Sequence, residues 1–244
     1  MFRFIITALF VVLFLILSIP LLLIEWVLGK FNMDAKNKSS LAIVNWAFRM
    51  VLRLSGTKIT VLGHENIPTG QAALFIANHR SYFDIVSTYT LVTGPTGYIA
   101  KKEMLRYPLL SHWMKNLHCL FLDREDIKQG LQTILTAIEK INSGISIFVF
   151  PEGTRNKVPD TFLPFHEGTF KIATKTGCPI IPVTIYNTAA IFEDHMPKIQ
   201  KQQIVISYGK PIYPKELSKE EQKHLGTYTQ KIIEERYAEL KDQS

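Results

Sequence analysis

Between Phe4 and Ile24 the chain carries no charged side chain, and Leu, Ile, Val and Phe dominate. As a helix rising about 1.5 Å per residue, this run reaches roughly 30 Å, the thickness of a hydrocarbon layer. Arg3 and Glu25 bound it, and Trp26 follows at an interfacial position. The pattern predicts a membrane-inserted helix. A secretory signal has a shorter apolar core and a small-residue cleavage site, which is not cleanly present. Pro20 marks a kink, so a helix that enters without crossing is the alternative. Ser39 or Ser40 suits the N-cap of a second helix over residues 41–54, stopping before Gly56. Asn45, Arg49 and Arg53 form one polar stripe on it, and the rest is apolar. That suits a helix lying in a lipid interface, or more plainly a core helix with a solvated arginine edge. Lys30, Lys36 and Lys38 in the connection favour the anionic, cytoplasmic leaflet of a cell membrane.

From Lys58 the period changes. Short apolar runs at 58–62, 72–77, 98–100, 120–122, 145–150, 180–185 and 204–208 read as strands. Helical patterns at 82–91, 109–117, 127–141, 167–176 and 219–240 interleave with them. Ser218 and Glu221 form a capping box for the last, whose apolar stripe is Leu225, Tyr228, Ile232 and Leu240. The expectation is an α/β fold: a mixed, mainly parallel sheet flanked by helices, with an N-terminal pair of membrane helices. Residues 1–56 form the membrane-associated segment and 57–244 the α/β domain.

Composition narrows the function. Apolar residues make up 47% and charged residues 20% of the 244, which excludes disordered and low-complexity classes. Cys119 and Cys178 make neither a disulfide framework nor metal-ligand spacing, so no metal is expected. The net charge of +7 suits an anionic partner. Nucleic acid is disfavoured, because the basic residues form no dense patch with interleaved aromatics.

In such folds, sites gather where strands end and loops lead into helices. After residues 72–77 come Asn78, His79, Arg80, Ser81, Tyr82, Phe83 and Asp84. An aspartate five residues after a histidine can fold back and fix one ring nitrogen as N–H, which leaves the other as a base. A histidine at a helix start is also a common capping or structural residue. Ser81 as a hydrolase nucleophile lacks a G-x-S-x-G elbow and is better placed as a helix cap. After residues 145–150 come Pro151, Glu152, Gly153, Thr154 and Arg155. Gly153 permits a tight turn or close backbone approach, and Arg155 offers a fork of donors suited to phosphate. Asp123, Arg124, Lys101 and Lys102 follow other strand ends. They either converge on one anion or are solvated loop charges.

Asn78-His79-x4-Asp84, Phe121–Leu122–Asp123–Arg124, Phe150–Pro151–Glu152–Gly153–Thr154–Arg155 and Pro179–Ile180–Ile181–Pro182–Val183 stand in order. Together they resemble the four blocks of the glycerolipid acyltransferase family, nearest to bacterial 1-acylglycerol-3-phosphate acyltransferases. Phe165, Gly168 and Lys171 also resemble the stretch after the third block. His118–Cys119 departs from it, since many members carry a small residue or glycine there.

The resemblance implies acyl transfer from acyl-CoA or acyl-carrier protein to the free hydroxyl of a lysophospholipid, with no cofactor. His79 is then the general base and Asp84 its orienting partner. Arg155, Arg124 and Lys101 hold the acceptor phosphate, and Glu152 positions the glycerol portion. Asn78, Arg80, Gly153 and Thr154 complete the substrate-binding set, and backbone N–H groups near the first block face the oxyanion. Membrane lipids are the expected surroundings and acyl-carrier protein a candidate partner. The rivals are another acceptor, such as glycerol-3-phosphate, or a membrane lipid-binding protein without catalysis.

Overall fold

The computed structural model describes residues 1–243. Its amino-terminal part holds three helices where the sequence predicts two. Helices α1 (Phe2–Leu17) and α2 (Ile19–Phe31) meet at Ser18 with a 47° bend. Pro20 explains the break, because it has no N–H to continue the α1 ladder. Ser18 secures it: the hydroxyl donates to the Leu15 carbonyl and accepts from Trp113 Nε1, both at 2.9 Å. Among the described residues, no single helix is long and apolar enough to cross a membrane, but the bent pair together has the length and composition.

Helix α3 (Met33–Ser55) starts well before the predicted 41. Asn32 is its cap, with the side-chain oxygen accepting from Ala35 N–H at 2.9 Å, and neither Ser39 nor Ser40 plays that part. Ser40 is buried and donates to the equally buried Glu25 at 2.8 Å, which ties α2 to α3. Lys36 and Lys38 therefore lie on α3 and Lys30 on α2, not in a connecting loop. Val44, Ala47, Val51 and Leu52 of α3 pack into the core, while Arg49 and Arg53 are exposed.

The strands are β1 (Lys58–Leu62), β2 (Leu74–Ala77), β3 (Thr96–Lys101), β4 (Leu120–Leu122), β5 (Ser146–Val149), β6 (Ile180–Tyr186) and β7 (Gln203–Tyr208). They form one sheet in the order β1-β7-β6-β2-β5-β3-β4. Every pairing is parallel except β6 with β7. The expected mixed, mainly parallel sheet is therefore present. Side chains alternate between two cores: Leu74 and Ile76 face one, and Ala73, Phe75 and Ala77 the other. Helices α6 (Ile127–Asn142), α7 (Lys171–Thr176) and α9 (Leu225–Asp242) cover the first face. Helices α3, α4 (Tyr82–Tyr89) and α5 (Pro108–Asn116) cover the second. Burial on both faces accounts for the near-continuous apolar strands.

The last predicted helix divides at His224 into α8 (Lys219–Lys223), which opens with the expected Ser218–Glu221 capping box, and α9. The Glu167 carboxylate causes the division. It accepts the N–H groups of Gly226 at 3.0 Å and Thr227 at 3.3 Å, so α9 begins there. A Cβ at Gly226 would lie 2.7 Å from that carboxylate, so a larger residue there would displace the Glu167 side chain. The core face of α9 is Leu225, Thr229, Ile233, Tyr237 and Leu240, with Tyr228 and Ile232 on its flank.

Between β6 and β7 the chain makes a long excursion over residues 187–202. It returns across the carboxyl ends of the parallel strands, where the polar blocks lie.

Candidate active site

His79 stands in the turn from β2 to α4. Its Nδ1 is 2.8 Å from Asp84 Oδ2. Asp84, on the first turn of α4, is 1% exposed and His79 13%. The same oxygen accepts the N–H groups of Arg80 and Ser81, each at 2.8 Å, and the other oxygen accepts the Thr188 hydroxyl from the excursion after β6. A buried carboxylate holding this many donors is fixed in position. It sets Nδ1 as the protonated ring nitrogen and leaves Nε2 as an acceptor. The ring also stacks on Phe150, with centroids 4.1 Å apart, which fixes its plane.

The third block is joined to the first through the backbone. Glu152 accepts His79 N–H at 2.7 Å with one oxygen and Leu163 N–H at 3.0 Å with the other. Asn156 N–H donates to the His79 carbonyl at 2.8 Å. Burial pushes the Glu152 carboxyl above its ordinary pKa, against the pull of its two backbone donors. The resemblance implies contact between Glu152 and the acceptor's glycerol. In the fold both its oxygens are engaged in bracing the histidine loop. Asn78 differs in the same way. It is buried, and its amide donates to the Ile185 carbonyl and accepts the Ile185 N–H, each at 2.9 Å, so it clips the loop to β6. The expected oxyanion donors of the first block are also taken. His79 N–H goes to Glu152, those of Arg80 and Ser81 to Asp84, and that of Tyr82 to Glu193 at 2.8 Å.

Ser81 is fully buried. Its oxygen accepts Phe83 N–H at 2.9 Å as the cap of α4 and donates to Glu193 at 2.6 Å, so it is not exposed for nucleophilic attack.

The basic residues gather on the same edge of the sheet. Arg124, after β4, packs over Gly153. A Cβ there would lie 3.2 Å from the guanidinium carbon, and the backbone φ of +73° favours glycine as well. Partial burial lowers the Arg124 pKa from its ordinary value. Arg155 lies over the Tyr82 ring, 3.7 Å from its centroid, and donates to Glu193 at 3.2 Å. Arg80 meets Asp194 at 3.4 Å. Lys101 is exposed at the end of β3, and Lys102 beside it is paired with Asp123. Thr154 is exposed in the third-block turn. The fourth block is scaffold: it forms β6, paired with β2. Among the described residues, no group of three or more His, Cys, Asp or Glu side chains is arranged to hold a metal ion.

Thr188, Glu193 and Asp194 were not legible as site residues. They lie in an irregular segment more than a hundred residues from the histidine loop in sequence, and no spacing links them to it.

A family model described as acyltransferase matches residues 58–186. The 1-acyl-sn-glycerol-3-phosphate acyltransferase of Borreliella burgdorferi is 36% identical over 154 residues, covering 63% of this chain and 61% of that protein. The chain thus spans less than two thirds of that relative's length. It spans 86% of the similarly named protein of Haemophilus influenzae, at 30% identity over 85% of this chain. The crystal structure of the 1-acyl-sn-glycerophosphate acyltransferase of Thermotoga maritima superposes with a TM-score of 0.84 at 25% identity, covering 98% of this chain and 95% of the other. With the blocks, the sheet and the histidine loop in agreement, the chain belongs to the acyltransferase family.

Proposed function

We propose that the protein transfers an acyl chain from a thioester, acyl-CoA or acyl-carrier protein, to the free hydroxyl of 1-acylglycerol-3-phosphate, giving phosphatidic acid. The observation that carries this is the His79–Asp84 pair at 2.8 Å, with the His79 ring stacked on Phe150 and Arg155 of the third block lying over Tyr82 of the histidine loop. The printed names of the relatives support the acceptor.

His79 Nε2 takes the proton of the acceptor hydroxyl as that oxygen attacks the thioester carbonyl. The C–O bond forms, the C–S bond breaks, and the imidazolium returns the proton to the departing thiolate. Asp84 stabilises the imidazolium between these steps. The acceptor is itself the nucleophile, so no acyl-enzyme is needed, in keeping with the buried Ser81. Arg155, Arg124 and Lys101 hold the acceptor phosphate. Asn78 and Glu152 set the loop's shape rather than touching substrate.

The helices at the amino terminus supply the lipid seat, with the active site on the cytoplasmic side of the cell membrane. Ile5, Leu9, Val12 and Ile16 make one exposed apolar face of α1, and Leu23, Ile24 and Trp26 extend it on α2. Exposed apolar side chains on two successive helices suit a lipid surface. Moving an acyl chain into water costs about 0.8 kcal/mol per methylene, on the order of 10 kcal/mol for a chain of common length. An enzyme seated in the leaflet avoids that cost.

The test is an acceptor screen with full-length protein in detergent. Labelled acyl-CoA or acyl-carrier protein is offered with lysophosphatidate, glycerol-3-phosphate or a zwitterionic lysolipid. Product only with lysophosphatidate supports the reading, and preference for either other acceptor replaces it.

A further inference from the structure

The excursion after β6 brings two consecutive carboxylates, Glu193 and Asp194, onto Arg155 of the third block and Arg80 of the histidine loop. Glu193 has the fuller set of contacts. Its Oε1 accepts Arg155 Nη1 at 3.2 Å and Tyr82 N–H at 2.8 Å, and its Oε2 accepts the Ser81 hydroxyl at 2.6 Å. A carboxylate at the start of α4, accepting two donors of the helix cap, is held in one position. The segment bearing it is seated on α1, where Phe192 stacks on Phe4 with centroids 5.6 Å apart.

Arg155 is held on two sides. The Tyr82 ring covers one face of its guanidinium plane, and Glu193 takes one N–H. A guanidinium has five N–H donors in a fixed fork, so its other donors remain for a ligand. An arginine on a flexible stem would otherwise sample many rotamers and lose entropy on meeting an anion. The ring and the carboxylate remove most of that freedom in advance.

We infer that Glu193, together with Tyr82, is a positioning residue for the acceptor: it orients Arg155 so that the free edge of the guanidinium meets the phosphate. The inference rests on the proposed phosphate role of Arg155. A rival reading makes Glu193 an internal stand-in for the phosphate that the acceptor displaces, and it gives the opposite result.

The experiment uses full-length protein in detergent with lysophosphatidate and acyl-CoA, measuring kcat, both KM values and Tm for Glu193→Gln, Glu193→Ala, Arg155→Ala and the Glu193→Ala/Arg155→Ala double variant. Glu193→Gln keeps an oxygen for Tyr82 N–H, which protects the helix cap. The acceptor KM is expected to rise about ten-fold in Glu193→Ala and about three-fold in Glu193→Gln, with kcat and donor KM within about two-fold. In the Arg155→Ala background, Glu193→Ala is expected to add less than about two-fold, because the two act as one unit. A lowered acceptor KM overturns the inference in favour of the stand-in. An unchanged acceptor KM, or equal losses in kcat and both KM values with a lowered Tm, also overturns it. If Arg155→Ala itself leaves the acceptor KM unchanged, the phosphate reading fails and the inference with it. An impaired Arg155→Ala beside a normal Glu193→Ala overturns the inference alone.

Discussion

Replacing Asp84 by asparagine separates the carboxylate's charge from its geometry. In the wild type, Oδ2 receives three N–H groups, from the His79 ring and from the backbone of Arg80 and Ser81. The Thr188 hydroxyl at Oδ1 can reverse and accept instead. The asparagine therefore settles with its oxygen toward the three N–H groups and its amide toward Thr188, and the His79 tautomer survives. Only the charge facing the imidazolium is lost. Two unit charges about 4 Å apart interact by about 4 kcal/mol at an effective dielectric near 20. At about 1.4 kcal/mol per decade, kcat is expected to fall about 10³-fold with both KM values nearly unchanged. Asp84→Ala goes further. It also orphans the backbone N–H groups of Arg80 and Ser81, at about 1–3 kcal/mol each, so stability falls together with activity. The assay is the initial rate of thiol release from acyl-CoA with saturating lysophosphatidate, beside thermal unfolding. An asparagine variant within ten-fold of wild type would refute the charge argument. One as inactive as a His79→Ala enzyme would refute the claim that the two backbone donors preserve the tautomer.

Ser81→Ala is expected to keep kcat within a few-fold while lowering stability by about 1–2 kcal/mol through loss of the α4 cap. A folded variant without activity would instead indicate an acyl-enzyme route. His118 has φ of +61° and a buried ring Nε2 without a hydrogen-bond partner. Burial foremost, then Lys140 and Lys36, lowers its pKa from 6.5 to about 4. Stability from its neutral form is complete above about pH 6.5 and is lost as the pH falls toward 4, by about 1–2 kcal/mol after allowance for the ring's partial solvent contact. His118→Gly is expected to flatten that part of the stability–pH curve and to relieve the left-handed backbone, as urea melts between pH 7 and 4 would report. An unchanged slope would remove His118 from the account. Removing residues 2–31 is expected to abolish vesicle binding. Removing residues 2–56 also strips Val44, Ala47, Val51 and Leu52 from the core, so that fragment is expected to aggregate. A soluble, fully active remainder would contradict the lipid seat.

The central strands β2, β5 and β6 were legible because a strand buried on both faces is a near-continuous apolar run, and each strand prediction lies within two residues of an observed edge. The histidine–aspartate pair was legible because both groups belong to one turn. The start of α3 was not. Its first residues are Met33, Asp34, Ala35, Lys36, Asn37 and Lys38, a polar string that resembles a loop until the Asn32 cap is seen. Glu25 looked like the end of a membrane run, and its burial depends on Ser40 fifteen residues later. Asn78 and Glu152 were visible as polar residues in the right loops. No local pattern shows that their polar atoms turn inward to Ile185 and to the His79 and Leu163 backbone. Thr188 and Glu193 reach the site only because β6 lies next to β2, which is a property of the folded sheet.

The most direct test is the turnover of full-length His79→Ala with lysophosphatidate and acyl-CoA, measured on protein shown to bind vesicles and melt like the wild type. With the imidazole as the proposed general base, its loss is expected to lower the rate by about 10⁴-fold, at the upper end for such a group. A variant that still acylates at a rate near the wild type's would show that the proton goes elsewhere.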